Sequence, residues 1–460
     1  MTVFFIFLLL YLGVQFFIVY LISKKIKNEK DYLLGGQQVP TFLLMFSLFA
    51  TWFGAETCIG TSGEVYEKGI SGGRADPFGY TLCLLFLGFF VAKKIWNANY
   101  TTLGDFFKNR FDEKTEKLAS ILLLLSSVVW GAAQFRALSQ VISSNTQLPL
   151  NLTFGITFVF VVSYSTLGGL LGDIYNDFIQ GIILILGLSV LIFTILYAEG
   201  SDVLFNQTTE RLSFITGDET IWQRIDRWAA PVLGSLIAQE SVSRLLAARS
   251  PQVAQRSAYY SSLLYIFVGA IPVLLGLLGP AVLPGVADKE QFLTLLSQKY
   301  LSLPLQYLVV GALVAAILST VDSILISGGG ILSHNLIIPL IKVPTEKTKL
   351  RFNRLGVFTM SFIALTIAWF SEGIYQLVES ASYLGTAGLL VVTLFGLWTS
   401  FGKAKAALAT FLVGLLFHPI ADRGLELESP FLLTLCLCVL TYTALGWFEQ
   451  QELTTQENSF

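Results

Sequence analysis

The chain has 460 residues, of which 54% are hydrophobic and 13% charged, with a net charge of −2. An ordinary soluble domain is about 25% charged, so a water-soluble globule could not cover this much apolar surface, and the chain reads as an all-α polytopic protein of the lipid bilayer. Near-neutral charge gives no footprint for nucleic acid. Roughly thirteen spans of about 20 residues leave only short loops, which excludes a large soluble catalytic domain and argues against an enzyme.

Hydropathy predicts thirteen spans in chain order: 2–22, 40–63, 77–96, 118–142, 150–167, 178–197, 228–246, 257–278, 303–339, 352–370, 375–398, 404–419 and 431–448. The runs are continuously apolar rather than alternating, which excludes a closed β-barrel. Span 2–22 lacks a basic leader and a small-x-small cleavage pattern, so it reads as a true first helix. Odd-numbered loops and the span ends that flank them hold twenty Lys and Arg, even-numbered loops eight. The positive-inside bias then puts the N-terminus outside and the C-terminal tail in the cytoplasm. Cys58, Cys83, Cys436 and Cys438 lie in apolar runs without a C-x-x-C, and His334 and His418 complete no zinc framework. No cofactor is expected.

Spans two to six and seven to eleven form two groups of five, and an odd group size orients them oppositely. Each group opens on a span rich in small and polar residues: Ser47, Ala50, Thr51 and Gly54 in one, Gly234, Ser235, Ala238 and Gln239 in the other. Paired interrupted helices at matching positions point to a midplane binding site. The expected organisation is a first helix and basic loop (1–30), one repeat (31–200), an outer loop (201–227), a second repeat (228–402), and two closing helices with a short tail (403–460).

The densest chemistry lies in span nine, Ala315-Ala316-Ile317-Leu318-Ser319-Thr320-Val321-Asp322-Ser323. Its hydroxyls and carboxylate fall within about one helical turn, a compact oxygen set of the kind hard cations prefer. Hydroxyls in membrane helices also bond back to their own i−4 carbonyls. A carboxylate within a span is functional by default.

This run resembles the cation-site helix of the sodium:solute symporter family, which includes sodium/proline, sodium/sugar, sodium/sialic acid and sodium/choline cotransporters. Ser47-Leu48-Phe49-Ala50-Thr51-Trp52-Phe53-Gly54-Ala55-Glu56 resembles the family's first core helix. Tyr164-Ser165-Thr166-Leu167-Gly168-Gly169 with Asp177 and Gln180 resembles its Y-[ST]-x-x-G-G…D-x-x-Q segment, and Ser243-Arg244-Leu245-Leu246-Ala247-Ala248 the end of its seventh helix. The resemblance runs from about 31 to 402. It implies a leucine-transporter-like 5+5 inverted-repeat core and sodium-coupled import of a small organic solute, with Na⁺ as coupling ion. It implies Na⁺ ligands at the carbonyls of Ala50, Phe53 and Ala316 and the hydroxyls of Ser319 and Thr320. It also implies a possible second cation site using Asp177, Asp322 and Ser323, where a solvated helix-end acid is the plain alternative for Asp177.

The resemblance places Trp52, Glu56, Thr57, Asp76, Gly79, Arg136, Gly234, Ser235 and Glu379 near the solute cavity. Arg136 is either a clamp for a solute carboxylate or an internal partner of Glu56. Glu240 and Arg244, at i,i+4, are expected to pair as a helix-end salt bridge. Thr57 and Gly234-Ser235 replace the polar and aromatic residues of sugar-binding members. The choline branch has a Trp where this chain has Ala238, and Trp52 alone is a thin cage. Acids together with Arg136 suggest a zwitterion such as an amino acid, or a carboxylate. Gly328-Gly329-Gly330 is expected to permit close helix packing. A proton-coupled transporter of the same fold, with Asp177 and Asp322 carrying protons, and a transporter-like sensor are the alternative readings.

Overall fold

The computed structural model describes residues 2–200, 202–205, 208–217, 219–371 and 373–457. Among them, nine helices are long and apolar enough to cross a membrane, and the one β feature is an isolated bridge between Val39 and Ala248. The main helices are α1 (Thr2–Ser23), α2 (Thr41–Trp52), α3 (Thr61–Lys68), α4 (Tyr80–Phe86), α5 (Glu113–Thr146), α6 (Leu150–Glu199) and α7 (Gln239–Ala247). They continue with α8 (Pro251–Val282), α9 (Leu303–Ile331), α10 (Glu346–Phe370), α11 (Ile374–Tyr383), α12 (Thr386–Trp398), α13 (Ala404–Pro419) and α14 (Pro430–Glu457).

Several expected spans are therefore not single rods. The span expected at 40–63 breaks where α2 ends: Phe53 leaves the helix at φ −87°, ψ 65°, and a helical run resumes at Glu56. The span expected at 228–246 breaks before α7, where Ala238 turns extended at φ −57°, ψ 130°. Both opening spans of the two groups are thus interrupted, as their composition suggests. The spans expected at 150–167 and 178–197 lie on either side of a break in α6, where Gly169 leaves the helical region with ψ −164°. Gly169 has φ +51°, and a Cβ there would lie 2.5 Å from the Tyr32 carbonyl oxygen, so both backbone and space require glycine.

The core is built around α9. It is predominantly apolar with no solvent-facing stripe, and residues 309–331 are buried throughout. It packs on α6, α5, α10, α2 and α7. In lipid, helix association rests on close contact rather than water exclusion. The glycine run supplies that contact: a Cβ on Gly356 would sit 2.4 Å from the Gly329 carbonyl oxygen, so α9 and α10 cross backbone to backbone. By contrast, α1 is mostly lipid-exposed and buries one stripe, including Leu8, Tyr11, Gln15 and Val19, against α6 and α9.

Candidate functional site

The break after α2 leaves backbone groups without helical partners, and the molecule accounts for them. Ala55 N–H donates to Gln134 Oε1 at 3.1 Å, and Gln134 Nε2 donates to Glu56 Oε2 at 2.7 Å. One α5 side chain thus holds both the unwound peptide and the carboxylate that opens the resumed helix, where an acid also suits the helix dipole. Gly54 is obligatory for space: a Cβ would lie 2.8 Å from Glu56 Oε2, 2.8 Å from Thr320 Oγ1 and 2.9 Å from Gln134 Oε1.

Across the break, α9 presents its hydroxyls. Ser319 Oγ lies 2.9 Å from the Ala50 carbonyl oxygen and 2.8 Å from that of Ala316. Thr320 Oγ1 lies 3.4 Å from Ala50 O and 3.2 Å from Ala316 O. The hydroxyls do bond back along their own helix, and they also reach across to α2. Two carbonyls and two hydroxyls therefore converge, with Phe53 at the adjoining bend. Such a neutral hard-oxygen set suits a monovalent hard cation.

The expected second cation set is not brought to one centre. Asp177 and Ser323 face Arg244, a wholly buried guanidinium. Arg244 Nη2 donates to Asp173 Oδ2 at 2.6 Å, to Asp177 Oδ2 at 3.1 Å and, closer still, to Ser323 Oγ; its Nε donates to Ser47 Oγ at 2.8 Å. Asp322 turns elsewhere and accepts from Ser165 Oγ at 2.6 Å. The Glu240–Arg244 salt bridge does not form. Arg244 meets only the backbone carbonyl of Glu240, at 3.0 Å, while the Glu240 carboxylate accepts from Ser127 Oγ at 2.6 Å. Two aspartates of α6 outcompete one neighbour on the same helix.

Beside the ion-type site lies a pocket whose walls include Trp52, Tyr80, Trp130, Ser235, Ala238 and Glu240. Trp52 and Tyr80 stand edge to face with ring centroids 5.0 Å apart, and Trp52 and Trp130 are tilted at 5.9 Å. Trp52 Nε1 donates to Ser241 Oγ at 2.6 Å, and Trp130 Nε1 donates to Glu56 Oε1 at 2.9 Å, so both indoles are held in place. A wider vestibule, lined by Glu56, Glu64, Asp76, Arg74 and Arg227, meets the pocket at Tyr80, Val378 and Ser382.

Other expected cavity residues stand differently. Thr57 is buried and donates to Asp76 Oδ2 at 2.5 Å, while the Tyr265 hydroxyl donates to Asp76 Oδ1 at 2.9 Å; this trio ties the resumed helix to α8. Gly79 packs on Pro231, where a Cβ would approach to 2.9 Å. Arg136 is in neither the pocket nor the vestibule and does not meet Glu56. Its guanidinium donates to the carbonyls of Ala368, at 3.5 Å, and Ser371, capping the C-terminus of α10, where a cation suits the dipole. Glu379 belongs to α11, and its side chain lies outside the described residues. The residues missed from sequence are Tyr80, Trp130, Gln134 and Glu240. Glu240 alone had a usable signal, an acid within a span.

At the vestibule rim, Glu219 accepts from Arg74 Nη1 at 2.5 Å and Nη2 at 2.8 Å, and also pairs with Arg227. Those hydrogen bonds, chiefly from Arg74, hold the Glu219 carboxyl down at about 2.

A helix broken at a buried oxygen cluster, with an aromatic-walled pocket next to it, defines a membrane solute transporter of the interrupted-helix class. The sodium:solute symporter family matches residues 32–414, and the chain belongs to that family: it is a sodium-coupled symporter in an integral membrane fold. It is 26% identical over 411 residues to the high-affinity choline transporter 1 of Torpedo marmorata, covering 85% of this chain and 70% of that one. It is 24% identical over 470 residues to the sodium/glucose cotransporter of Vibrio parahaemolyticus, covering 91% and 85%. Among solved structures, a substrate-bound, outward-open Na⁺-coupled sialic acid symporter superposes with a TM-score of 0.86 at 18% identity over 97% of both chains. A nucleobase-cation-symport-1 family transporter in a closed conformation superposes at 0.66 and 14% identity, over 90% and 93%. At these identities the structural likeness is one of fold.

Proposed function

We propose that this protein imports a small organic ammonium solute, of the size and charge of choline, on a sodium gradient. One observation carries the reading: three aromatic side chains, Trp52, Tyr80 and Trp130, meet around a pocket that holds the Glu240 carboxylate and, among its described lining residues, no Lys or Arg. Each aromatic face contributes about 0.5–2 kcal/mol toward a desolvated cation. Trp130 supplies from α5 the face that Ala238 withholds, so the cage is larger than Trp52 alone suggests. The zwitterion reading loses its carboxylate clamp, since Arg136 is engaged at α10. The choline transporters among the relatives support the same solute class.

Sodium binds at the carbonyls of Ala50, Phe53 and Ala316 and the hydroxyls of Ser319 and Thr320. The vestibule carries Lys68, Arg74 and Arg227, all from loops that the charge bias assigns to the outside, so it is the entry path. The test is uptake into proteoliposomes of radiolabelled choline, an amino acid and a hexose, with Na⁺ or K⁺ outside. Sodium-dependent choline uptake that Trp130→Ala weakens at least tenfold in KM is expected. Sodium-dependent uptake of the hexose or amino acid with choline inert refutes the solute class. Choline uptake unchanged by Thr320→Ala at limiting Na⁺ refutes the ion-site assignment.

A further inference from the structure

An apolar groove of about 450 Å³ lies between three segments of the chain. Phe86 and Phe90 line it from α4 and the helical run that continues it, Leu233 and Leu236 from the broken segment before α7, and Leu394 and Trp398 from α12. The volume falls in the range of ligand sites. Phe90 and Trp398 are 45% and 52% exposed and lie in predicted spans, so the groove opens on the bilayer. The polar groups on its walls are already spent. Trp398 Nε1 donates to the Phe90 carbonyl at 3.2 Å, and Thr399 Oγ1 donates to that of Phe395 at 2.8 Å. No described lining residue is charged. A guest therefore finds no hydrogen bond there, and water needs roughly two to four polar partners. What the groove can take is hydrocarbon.

Two features distinguish this groove from plain lipid-facing surface. Leu233 and Leu236 alternate in sequence with Gly234, Ser235 and Ala238, and those three line the aromatic pocket. A guest in the groove thus packs on the back of that pocket's wall, where the chain has left the regular helix. Beside Trp398, the last residue of α12, three cations gather. Lys94 Nζ lies 3.8 Å over the Trp398 ring and donates to the Leu397 carbonyl at 3.0 Å. Arg110 Nη2 donates to the carbonyls of Thr399, Phe401 and Gly402 at 3.4, 2.9 and 3.2 Å. Lys93, one turn beyond Phe90, is exposed. None of the three forms an ion pair among the described residues. A slot for hydrocarbon thus adjoins a cluster of unneutralised positive charge, on the face that the charge bias assigns to the cytoplasm.

We propose that the groove binds an anionic phospholipid, with one acyl chain along Phe86, Phe90, Leu236 and Leu394 and the headgroup phosphate at Lys93, Lys94 and Arg110. A zwitterionic lipid offers the same chain without net charge. Each lysine near the membrane surface favours the anionic headgroup by about fivefold. The bound chain braces from outside the segment that walls the aromatic pocket. The lipid site stands apart from the identity of the solute and of the coupling ion.

The test is photolabelling of the full-length protein in phosphatidylcholine vesicles. They carry a trace of lipid with a diazirine on its acyl chain, as phosphatidylglycerol in one set and phosphatidylcholine in the other, and labelled peptides are mapped by mass spectrometry. Labelling of α1, which is mostly lipid-exposed, reports the unselected bilayer. The phosphatidylglycerol-to-phosphatidylcholine ratio at the groove peptides is expected to exceed that at α1 by at least about fivefold. Leu394→Trp fills the slot and is expected to remove groove labelling by both lipids while α1 labels as before. Lys93→Gln leaves the apolar walls intact, so it guards against a misfolded Leu394→Trp; it is expected to lower the groove ratio about fivefold. A groove ratio equal to that at α1 overturns the proposal, as does a ratio unmoved by Lys93→Gln. Groove peptides that neither lipid labels also overturn it, and point to a second protein chain on this face.

Discussion

Gly54→Ala tests the geometry of the proposed sodium site more sharply than deleting a ligand. The added methyl would lie 2.8 Å from Thr320 Oγ1, 2.8 Å from Glu56 Oε2 and 2.9 Å from Gln134 Oε1. Ordinary contact begins at 3.4 Å, so three atoms must each give by about half an ångström. None is a loose end: Glu56 and Gln134 hold each other at 2.7 Å, and Thr320 is tied to Ala316 and Ala50. Overpacking of this kind costs about 1–3 kcal/mol. In the proposed site the sodium-bound state fixes the Thr320 hydroxyl and the Ala50 carbonyl together, so most of that cost falls on it. Every 1.4 kcal/mol is tenfold in affinity, so half-saturation by Na⁺ is expected to rise by about fivefold to about a hundredfold. The assay is thermal stability titrated with Na⁺ against K⁺ at fixed ionic strength, where a ligand at 100 times its Kd adds about 2.7 kcal/mol. A Na⁺ half-saturation within twofold of wild type, in a protein that melts normally in K⁺, would refute the placement of the ion beside Gly54.

Three further outcomes follow from the same coordinates. Gln134→Leu strands the Ala55 N–H and removes a donor from Glu56; at about 1–3 kcal/mol for an unsatisfied buried group, it should lower Tm in Na⁺ and K⁺ alike, read by scanning fluorimetry. Arg136→Ala should lower Tm through loss of the α10 cap while leaving solute KM unchanged; a KM raised tenfold would return Arg136 to the cavity. The Glu219 carboxyl is held at about 2 by Arg74 and Arg227, below its ordinary value, so its contribution to stability is complete above the ordinary carboxylate range and is lost as pH falls toward 2. The Tm gap between wild type and Glu219→Gln should therefore be full at pH 6 and close progressively below about pH 4; a gap constant down to pH 3 contradicts the ion triad.

Local chemistry was legible wherever a residue type is costly in lipid. The Ser319-Thr320 pair, the interrupted opening spans and the glycine contact of α9 with α10 could all be read from the chain, because membrane helices leave few reasons for hydroxyls, acids and glycine runs. Partner choice was not legible. Arg136, Arg244, Asp173 and Asp177 are all buried-charge signals, but which acid meets which base depends on helix rotation. Arg244 was placed with Glu240 on i,i+4 spacing, yet tertiary packing gives it two aspartates from α6. The aromatic cage was hidden for the same reason: Trp52, Tyr80 and Trp130 come from three helices, and an aromatic in an apolar span carries no signal of the direction it faces. Hydropathy also leaves the gap between spans at 168–177, where α6 breaks at Gly169, whereas the breaks that split other spans into pieces shorter than a membrane, as in α2 and in α11 with α12, carry no hydropathy signal of their own.

With the ion and solute at the proposed sites, their coupling runs through one shared segment. Ala50 supplies the carbonyl that meets Ser319 and Thr320, and two residues on Trp52 forms a wall of the pocket, its indole fixed on Ser241 at the start of α7. An ion that orders the end of α2 therefore sets the position of that wall and joins α2, α7 and α9 in one arrangement. The free energy of this linkage is reciprocal: whatever factor Na⁺ adds to solute affinity, solute must add to Na⁺ affinity. Trp52→Phe keeps an aromatic wall but cuts the Ser241 tether, so it should reduce that shared factor more than it reduces solute affinity measured at saturating Na⁺. If the two affinities fall together with the factor intact, the indole is a contact surface only and the coupling runs through another part of the break.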